Sequence, residues 1–310
     1  MTNNGFLVIN KPSGYTSHQV VAQARRILAE RRIGHTGTLD PMATGVLVLA
    51  IGKATKLISF LDEERKMYRA RLVLGLSTDT QDLTGRELSV QPETEVSREK
   101  LLAALAFFTG EQEQTPPMYS AVKINGEPLY KLARAGKEIN RAKRKITIYR
   151  LEVAEPLLPV YGFKEGPVLL IECSRGTYIR TLCHDLGAHL GVGGCMGDLV
   201  RLASGPFRLA EALTLDELAQ VVNAGKLREY LIPPSAALSH LPMVRLNETN
   251  AGQIRNGGRL FPRDLTEIPP PEACLDRGLV QAVDVDGSLL AVLKYHQGPP
   301  AFWQPVRVLT

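Results

Sequence analysis

Gly34-His-Thr-Gly-Thr-Leu-Asp-Pro-Met-Ala-Thr-Gly45 is the stretch on which the reading of this chain turns. Its glycines mark a loop whose backbone passes close to a neighbour. Pro41 has no N–H and biases Asp40 toward an extended backbone. Asp40 therefore sits on a short, stiff dipeptide, with Leu39 before it as an apolar anchor. Upstream, Val20, Val21, Ala24, Ile27 and Leu28 fall at helical spacing behind Ser17, a residue able to cap a helix. Downstream runs the apolar segment Val46-Leu-Val-Leu-Ala-Ile51. A carboxylate at the mouth of a buried strand, inside a glycine-rich loop, fits a reactive group. A loop aspartate also commonly bonds its own backbone in a turn. Spacing alone leaves both readings open.

Working outward, Phe6-Leu-Val-Ile9 reads as a strand ended by Lys11-Pro-Ser-Gly14, and Lys53 to Glu64 as a helix with Leu57, Ile58 and Leu61 on one face. Tyr68 to Leu74 alternates as a half-buried strand does, and Thr78 to Gly85 is polar loop. Ser97 to Phe108 reads as an amphipathic helix. Asn125-Gly126 signals a two-residue hairpin. Ile146 to Val153 and Val168 to Cys173 read as strands, the second nearly continuous and so central in its sheet. A helix carrying Ile179, Leu182, Leu186 and Leu190 follows, and Thr214 with Glu217 forms a capping box. Pro233-Pro234 opens a linker. Beyond it, the short apolar runs at Met243, Leu279, Leu289 and Val306 describe a small β-rich tail, interrupted by Pro269-Pro-Pro271.

The bulk numbers are those of a globular protein: 310 residues, 44% hydrophobic and 22% charged, enough for about two domains. The net charge of +5 is concentrated. Residues 131–150 carry Lys131, Arg134, Lys137, Arg141, Lys143, Arg144, Lys145 and Arg150 against Glu138 alone, a window of +7. Most charge runs are solvated faces. This one stands beside Tyr119, Tyr130 and Tyr149, and cations next to aromatic rings also suit phosphates and unpaired bases. The four cysteines (173, 183, 195 and 274) show no C-x-x-C spacing and read as reduced thiols in a cytoplasmic protein. No apolar run approaches a membrane span, and no secretory signal pattern opens the chain.

Two tempting phosphate loops fail. Gly52-Lys53 has Leu47 where a P-loop needs its first glycine. Gly191-Val-Gly-Gly-Cys-Met-Gly197 has Met196 at the third dinucleotide glycine and follows a helix, not a strand. Arg180, in Gly176-Thr-Tyr-Ile-Arg180 at a helix start, is the strongest candidate beyond Asp40. A partly buried arginine needs a carboxylate partner and keeps that partner ionised.

These blocks resemble the bacterial tRNA pseudouridine-55 synthases of the TruB type. The resemblance runs from about Phe6 to Thr214. It is carried by Lys11-Pro-Ser-Gly-Tyr-Thr-Ser17, the Gly34–Gly45 block, Lys66-Met-Tyr68 with Thr78-Asp79-Thr80, Pro117 to Lys123 with Leu129-Tyr130, and Cys173-Ser-Arg-Gly-Thr-Tyr-Ile-Arg180 with Leu199. Asn10 and Gly194-Cys195 depart from the common pattern without touching the inferred chemistry.

The resemblance implies that Asp40 is the nucleophile, Tyr68 lies against the target base, and Arg180 pairs with Asp40. It further implies that Tyr178 and Leu199 line the uracil pocket, His35 helps hold the opened T-loop, and Lys11 supports the site. The implied fold is α+β. A pseudouridine synthase domain over 1–235 has a mixed, mostly antiparallel sheet flanked by helices and an RNA-gripping insertion at about 115–145. A small PUA-like domain spans 240–310. The expected partner is the tRNA T-arm, acted on by a cytoplasmic monomer without metal, cofactor or membrane. The competing expectation is a non-catalytic RNA-binding or tRNA-folding protein, which leaves Asp40 and Arg180 idle.

Overall fold

The computed structural model describes residues 4–61, 65–120, 122–124, 126–265 and 278–309. Cys274, Asn125 and Pro269-Pro-Pro271, each named above, lie outside the described residues. The chain divides into two compact units, Met1–Pro41 with Gly45–Asp62 and Pro206–Thr310, and Met42–Thr44 with Glu63–Gly205.

In the first unit Gly5–Lys11 pairs antiparallel with Thr44–Ile51, which also takes the short strand Ile33–His35 on its edge. The uninterrupted apolar run at 46–51 has a simple cause, since both faces of these strands are covered. Phe6, Val8, Val46, Val48 and Ala50 enter one core cluster. Leu7, Ile9, Leu47, Leu49 and Ile51 enter another, with Val20, Val21 and Ala24 of the helix Ser17–Leu28. Thr16, not Ser17, caps that helix: Thr16 Oγ1 accepts from Gln19 N–H and Gln19 Oε1 accepts from Thr16 N–H at 2.8 Å. The segment that reads as a helix from Lys53 is a 3-10 helix, Gly52–Phe60, narrower and more extended than an α-helix, with three residues per turn.

The tail is β-rich, with the sheet order Met243–Arg245, Leu279–Val283, Leu289–His296, Phe302–Val308. Its first pair is parallel and the others are antiparallel. The helix Glu248–Arg255, capped by Asn247, packs within it; so little of its surface is apolar that its sequence carries no helical signal. Val244, Ile254, Val280, Leu293 and Trp303 form the tail's own cluster. The stretch after Pro233 is no linker. It forms the short helix Pro234–Ala237, and Ala237 and Leu238 are buried with Phe6 and Val283.

The second unit is built on the strand order Gly194–Ser204, Arg65–Leu74, Val168–Ser174, Arg144–Val153, Gly110–Gln114, antiparallel throughout. Val168–Ser174 is central in this order, as expected, though its burial alternates. The helices Arg98–Phe107 and Ile179–His189 belong to the same unit. A β-carbon on Gly187 would lie 2.2 Å from the Gly194 nitrogen, so glycine there is what lets helix and strand touch backbone to backbone. This mixed architecture is the α+β class expected.

Burial pushes the Cys173 thiol up to about 12 and Cys195 up to about 11, and raises Cys183 as well. All three are buried and unbridged, and the thiolate is the reactive form. We expect them to resist the thiol reagent DTNB in the native protein at pH 8 and to react after guanidinium denaturation, read by absorbance and peptide mapping.

Candidate active site

Asp40 lies on irregular chain between the strand Ile33–His35 and the strand Thr44–Ile51, and it is half-buried. Its neighbours on both sides are tied down. On the N-terminal side, Leu39 N–H donates to Ser17 Oγ at 3.0 Å, and Ser17 Oγ lies 3.3 Å from Leu39 O. On the C-terminal side, Pro41 O accepts from Lys11 Nζ at 3.0 Å and from Gly14 N–H at 2.8 Å. Lys11 is fully buried, and its ammonium also donates to Pro12 O and Tyr15 O, at 2.9 and 2.6 Å. A buried ammonium is tolerated only with such acceptors. The block from Lys11 to Ser17 is thus the clamp on the peptide units either side of Asp40. Gly34 does pass close to a neighbour within its own unit. A β-carbon there would lie 3.3 Å from Ile58 Cδ1, a tight contact with the 3-10 helix Gly52–Phe60. His35 stands at the end of its strand, opposite Leu49.

The second unit holds the remaining candidates. Tyr68 is buried and lies opposite Ile171 on one side and Arg201 on the other; Ala70 lies opposite Leu199. Directly paired residues share a face, so Tyr68, Ala70, Leu199 and Arg201 point the same way, with Tyr68 and Leu199 as diagonal neighbours. Tyr178 precedes the helix Ile179–His189, and both of its backbone polar groups bond Gln114, N–H to Oε1 at 2.7 Å and O from Nε2 at 3.0 Å.

Arg180 is 5% exposed. Nη1 donates to Thr80 O at 2.9 Å and lies 3.7 Å from Asp82 Oδ2, while Nη2 donates to Tyr119 O at 2.7 Å. The polar loop at 78–85 therefore has a function in the fold. Asp82, 4% exposed, accepts through Oδ1 from Thr80 Oγ1, Thr84 N–H and Thr84 Oγ1, at 2.8, 2.9 and 2.6 Å. Thr181 Oγ1 bonds Gln81 Oε1 at 2.7 Å, fixing the same loop to the helix that carries Arg180.

The structure thus places Lys11, His35 and Asp40 in one unit, and Tyr68, Tyr178, Arg180 and Leu199 in the other. Sequence reasoning misses Ser17 as a clamp, and it misses Gln114, Asp82 and Arg201. The only signal for Asp82 is its spacing from Thr80 and Thr84, which fits an Asx-type turn. Arg201, 1% exposed, sits in a strand pattern with nothing local to distinguish it.

The expected insertion starts as a hairpin, Lys123–Ile124 against Glu127–Pro128, followed by the helix Leu129–Arg134. Lys131, Lys137, Arg144 and Lys145 are exposed and have no ion-pair partner among the described residues. Tyr130 and Tyr149 are exposed too, with Arg134 5.7 Å and Arg65 4.2 Å above their rings. Cations interleaved with open aromatic faces form a surface chemically suited to a polyanion with flat bases.

Comparison with known proteins agrees with this chemistry. A model described as TruB family pseudouridylate synthase (N terminal domain) matches residues 25–179, and one described as tRNA pseudouridylate synthase B C-terminal domain matches 180–239. The tRNA pseudouridine synthase B of Geotalea uraniireducens is 44% identical over 306 residues, 99% of this chain and 96% of that one. Its counterpart from Geobacter sulfurreducens is 46% identical over 254 residues, 82% of each chain. Among solved structures, a chain of a Cbf5-Nop10-Gar1 complex superposes with a TM-score of 0.74 at 28% identity, covering 99% of this chain and 85% of that one. A chain from an H/ACA RNP bound to a substrate RNA containing 2'-deoxyuridine gives 0.72 at 25% identity, covering 100% and 86%. The chain belongs to the TruB family of pseudouridylate synthases.

Proposed function

We propose that the protein isomerises uridine 55 in the T-loop of tRNA to pseudouridine, with Asp40 as the nucleophile acting on a flipped-out uridine. The observation that carries the proposal is the double clamp around Asp40, by Ser17 on one side and by Lys11 and Gly14 on the other. A turn aspartate has no need of one; a carboxylate that must meet a reacting carbon does. The tRNA substrate is supported by the names of the relatives.

The reaction breaks the N1–C1′ bond, turns the uracil and joins C5 to C1′. The target base leaves its stack at a cost of a few kcal/mol, and phosphate contacts along residues 131–150 offset part of that. Asp40 then attacks C1′, adds at C6, or removes a sugar proton to give a glycal. All three routes need an ionised carboxylate, and pairing with Arg180 supplies the opposing charge. Tyr68 lies against the base, Tyr178 and Leu199 line the uracil pocket, His35 helps hold the opened T-loop, and Lys11 keeps the Asp40 loop in place. The catalytic domain spans 1–235, the PUA-like domain 240–310, and the protein works as a cytoplasmic monomer.

The test is direct. Purified protein is incubated with an unmodified T-arm and with the same RNA carrying cytidine at position 55, and pseudouridine is mapped by reverse-transcription stops. A single stop assigned to position 55, lost in the cytidine RNA, is expected. Modification elsewhere, or none, overturns the assignment.

The basic surface yields a separate expectation. Replacing Lys143, Arg144 and Lys145 with alanine weakens T-arm binding at all sequences alike. It also lowers the slope of log Kd against log salt by roughly two units, at ~0.7–0.9 for each phosphate no longer neutralised. Filter binding at several salt concentrations measures both.

A further inference from the structure

Tyr15 is an aromatic residue left open on the loop that clamps the Asp40 segment. Ser13, Gly14, Tyr15 and Thr16 are exposed in succession between buried Lys11 and buried Ser17, and Tyr15 is 38% exposed. Its backbone is held. The Lys11 ammonium donates to Tyr15 O at 2.6 Å and to Pro41 O at 3.0 Å, and Pro41 O also accepts from Gly14 N–H. Tyr15 is thus one layer of hydrogen bonds away from the residue that follows Asp40. On its other side Thr16 caps the helix Ser17–Leu28 through the box with Gln19. The buried ammonium gathers carbonyls around itself, and the tyrosine ring is left at the surface. Gly14 has φ +82°, which a glycine adopts without strain, and a β-carbon there would meet nothing within 4 Å. The ground beside Tyr15 is open. Its hydroxyl has no hydrogen-bond partner among the described residues.

We propose that Tyr15 is a substrate-binding residue whose ring stacks on an unpaired T-loop base adjoining the uridine held at Asp40. The inference rests on the reading that the target uridine meets Asp40. A uridine that leaves its stack to reach Asp40 deprives its neighbour of a stacking face. The neighbour is carried on the same strand, past the loop from Lys11 to Ser17, and the Tyr15 ring replaces the lost face. Stacking on a tyrosine accepts any base and uses the ring, not the hydroxyl. A ring on a fixed backbone also loses little freedom on binding, so the benefit falls on affinity and not on the chemical step. One loop then has two tasks: Lys11 and Ser17 hold the Asp40 segment from within, and Tyr15 receives RNA on the outside.

The experiment uses the full chain as wild type, Tyr15→Ala, Tyr15→Leu and Tyr15→Phe. Filter-binding Kd and the single-turnover rate at saturating RNA are measured on an unmodified T-arm. Kd is also measured on a series of T-arms in which each unpaired loop nucleotide except the target is made abasic in turn. Tyr15→Ala is expected to raise Kd about five- to fiftyfold, with the saturated rate little changed. Tyr15→Phe, which keeps the ring, binds as wild type; Tyr15→Leu, which keeps only apolar bulk, binds nearly as weakly as Tyr15→Ala. One abasic position adjoining the target weakens wild-type binding by a similar factor and weakens Tyr15→Ala no further. An unchanged Kd in Tyr15→Ala overturns the proposal. So does full recovery in Tyr15→Leu, or an alanine effect that multiplies with the effect of every abasic position. If wild type fails to bind the T-arm, or Asp40→Asn keeps normal turnover, the reading beneath the proposal fails and takes the proposal with it. Normal T-arm binding, an inactive Asp40→Asn and an indifferent Tyr15→Ala remove the role of Tyr15 alone.

Discussion

Asp40→Asn reduces pseudouridine formation by at least about 10⁴-fold while T-arm affinity stays within about threefold of wild type. Asparagine has nearly the same shape, and the bonds that clamp Leu39 and Pro41 involve their backbones, so the loop stays in place. What is lost is the anion. An amide neither attacks C1′ or C6 nor takes a sugar proton at neutral pH, so each of the three routes stops. Single-turnover release of tritium from 5-tritiated uridine, beside filter binding of the same RNA, separates the two quantities. A variant that binds normally and still turns over at a tenth of the wild-type rate would mean that Asp40 is a structural residue.

Arg180→Lys is expected to lower the single-turnover rate about 10²-fold, the result of losing one or two charge-assisted hydrogen bonds worth ~1.5–3 kcal/mol each. Lysine keeps the charge but cannot span the acceptors that the guanidinium fork reaches at once, Thr80 O, Tyr119 O and the Asp82 carboxylate. Asp82→Asn acts in the same direction more weakly, since Arg180 keeps both carbonyls. A purely structural Arg180 predicts the opposite pattern, a lowered Tm with an unchanged rate in the protein that remains folded. Tyr119 O lies at the root of the expected insertion, so Arg180 also ties that segment to its helix.

The elements legible in the sequence are those where one local rule decides the outcome. The Thr214–Glu217 capping box is present, as is the hairpin at 123–128. The run 46–51 is a strand because both of its faces are buried. Ser17 reads as a cap because its residue type permits it, whereas Thr16 takes that role and frees Ser17 to hold a residue 22 positions away. Gln114 and Arg201 are hidden because their partners, Tyr178 in a hydrogen bond and Tyr68 in the strand register, are distant in sequence; Asp82 shows only its local turn spacing, which gives no hint of Arg180. The Pro233-Pro234 stretch misleads because proline at the start of a short helix and proline in a linker look alike from composition. Asp40 itself gains little from spacing. Its standing comes from the family to which the chain belongs and from the clamp that the fold builds beside it.

The most direct measurement is a crystal structure of the protein with a T-arm RNA carrying 5-fluorouridine at position 55. The fluorinated base is expected out of its helical stack, with an Asp40 carboxylate oxygen bonded to C1′ or C6 or about 3–3.5 Å from one of them. A base still stacked in the loop, or a flipped base whose sugar and ring carbons face some residue other than Asp40, would contradict the account.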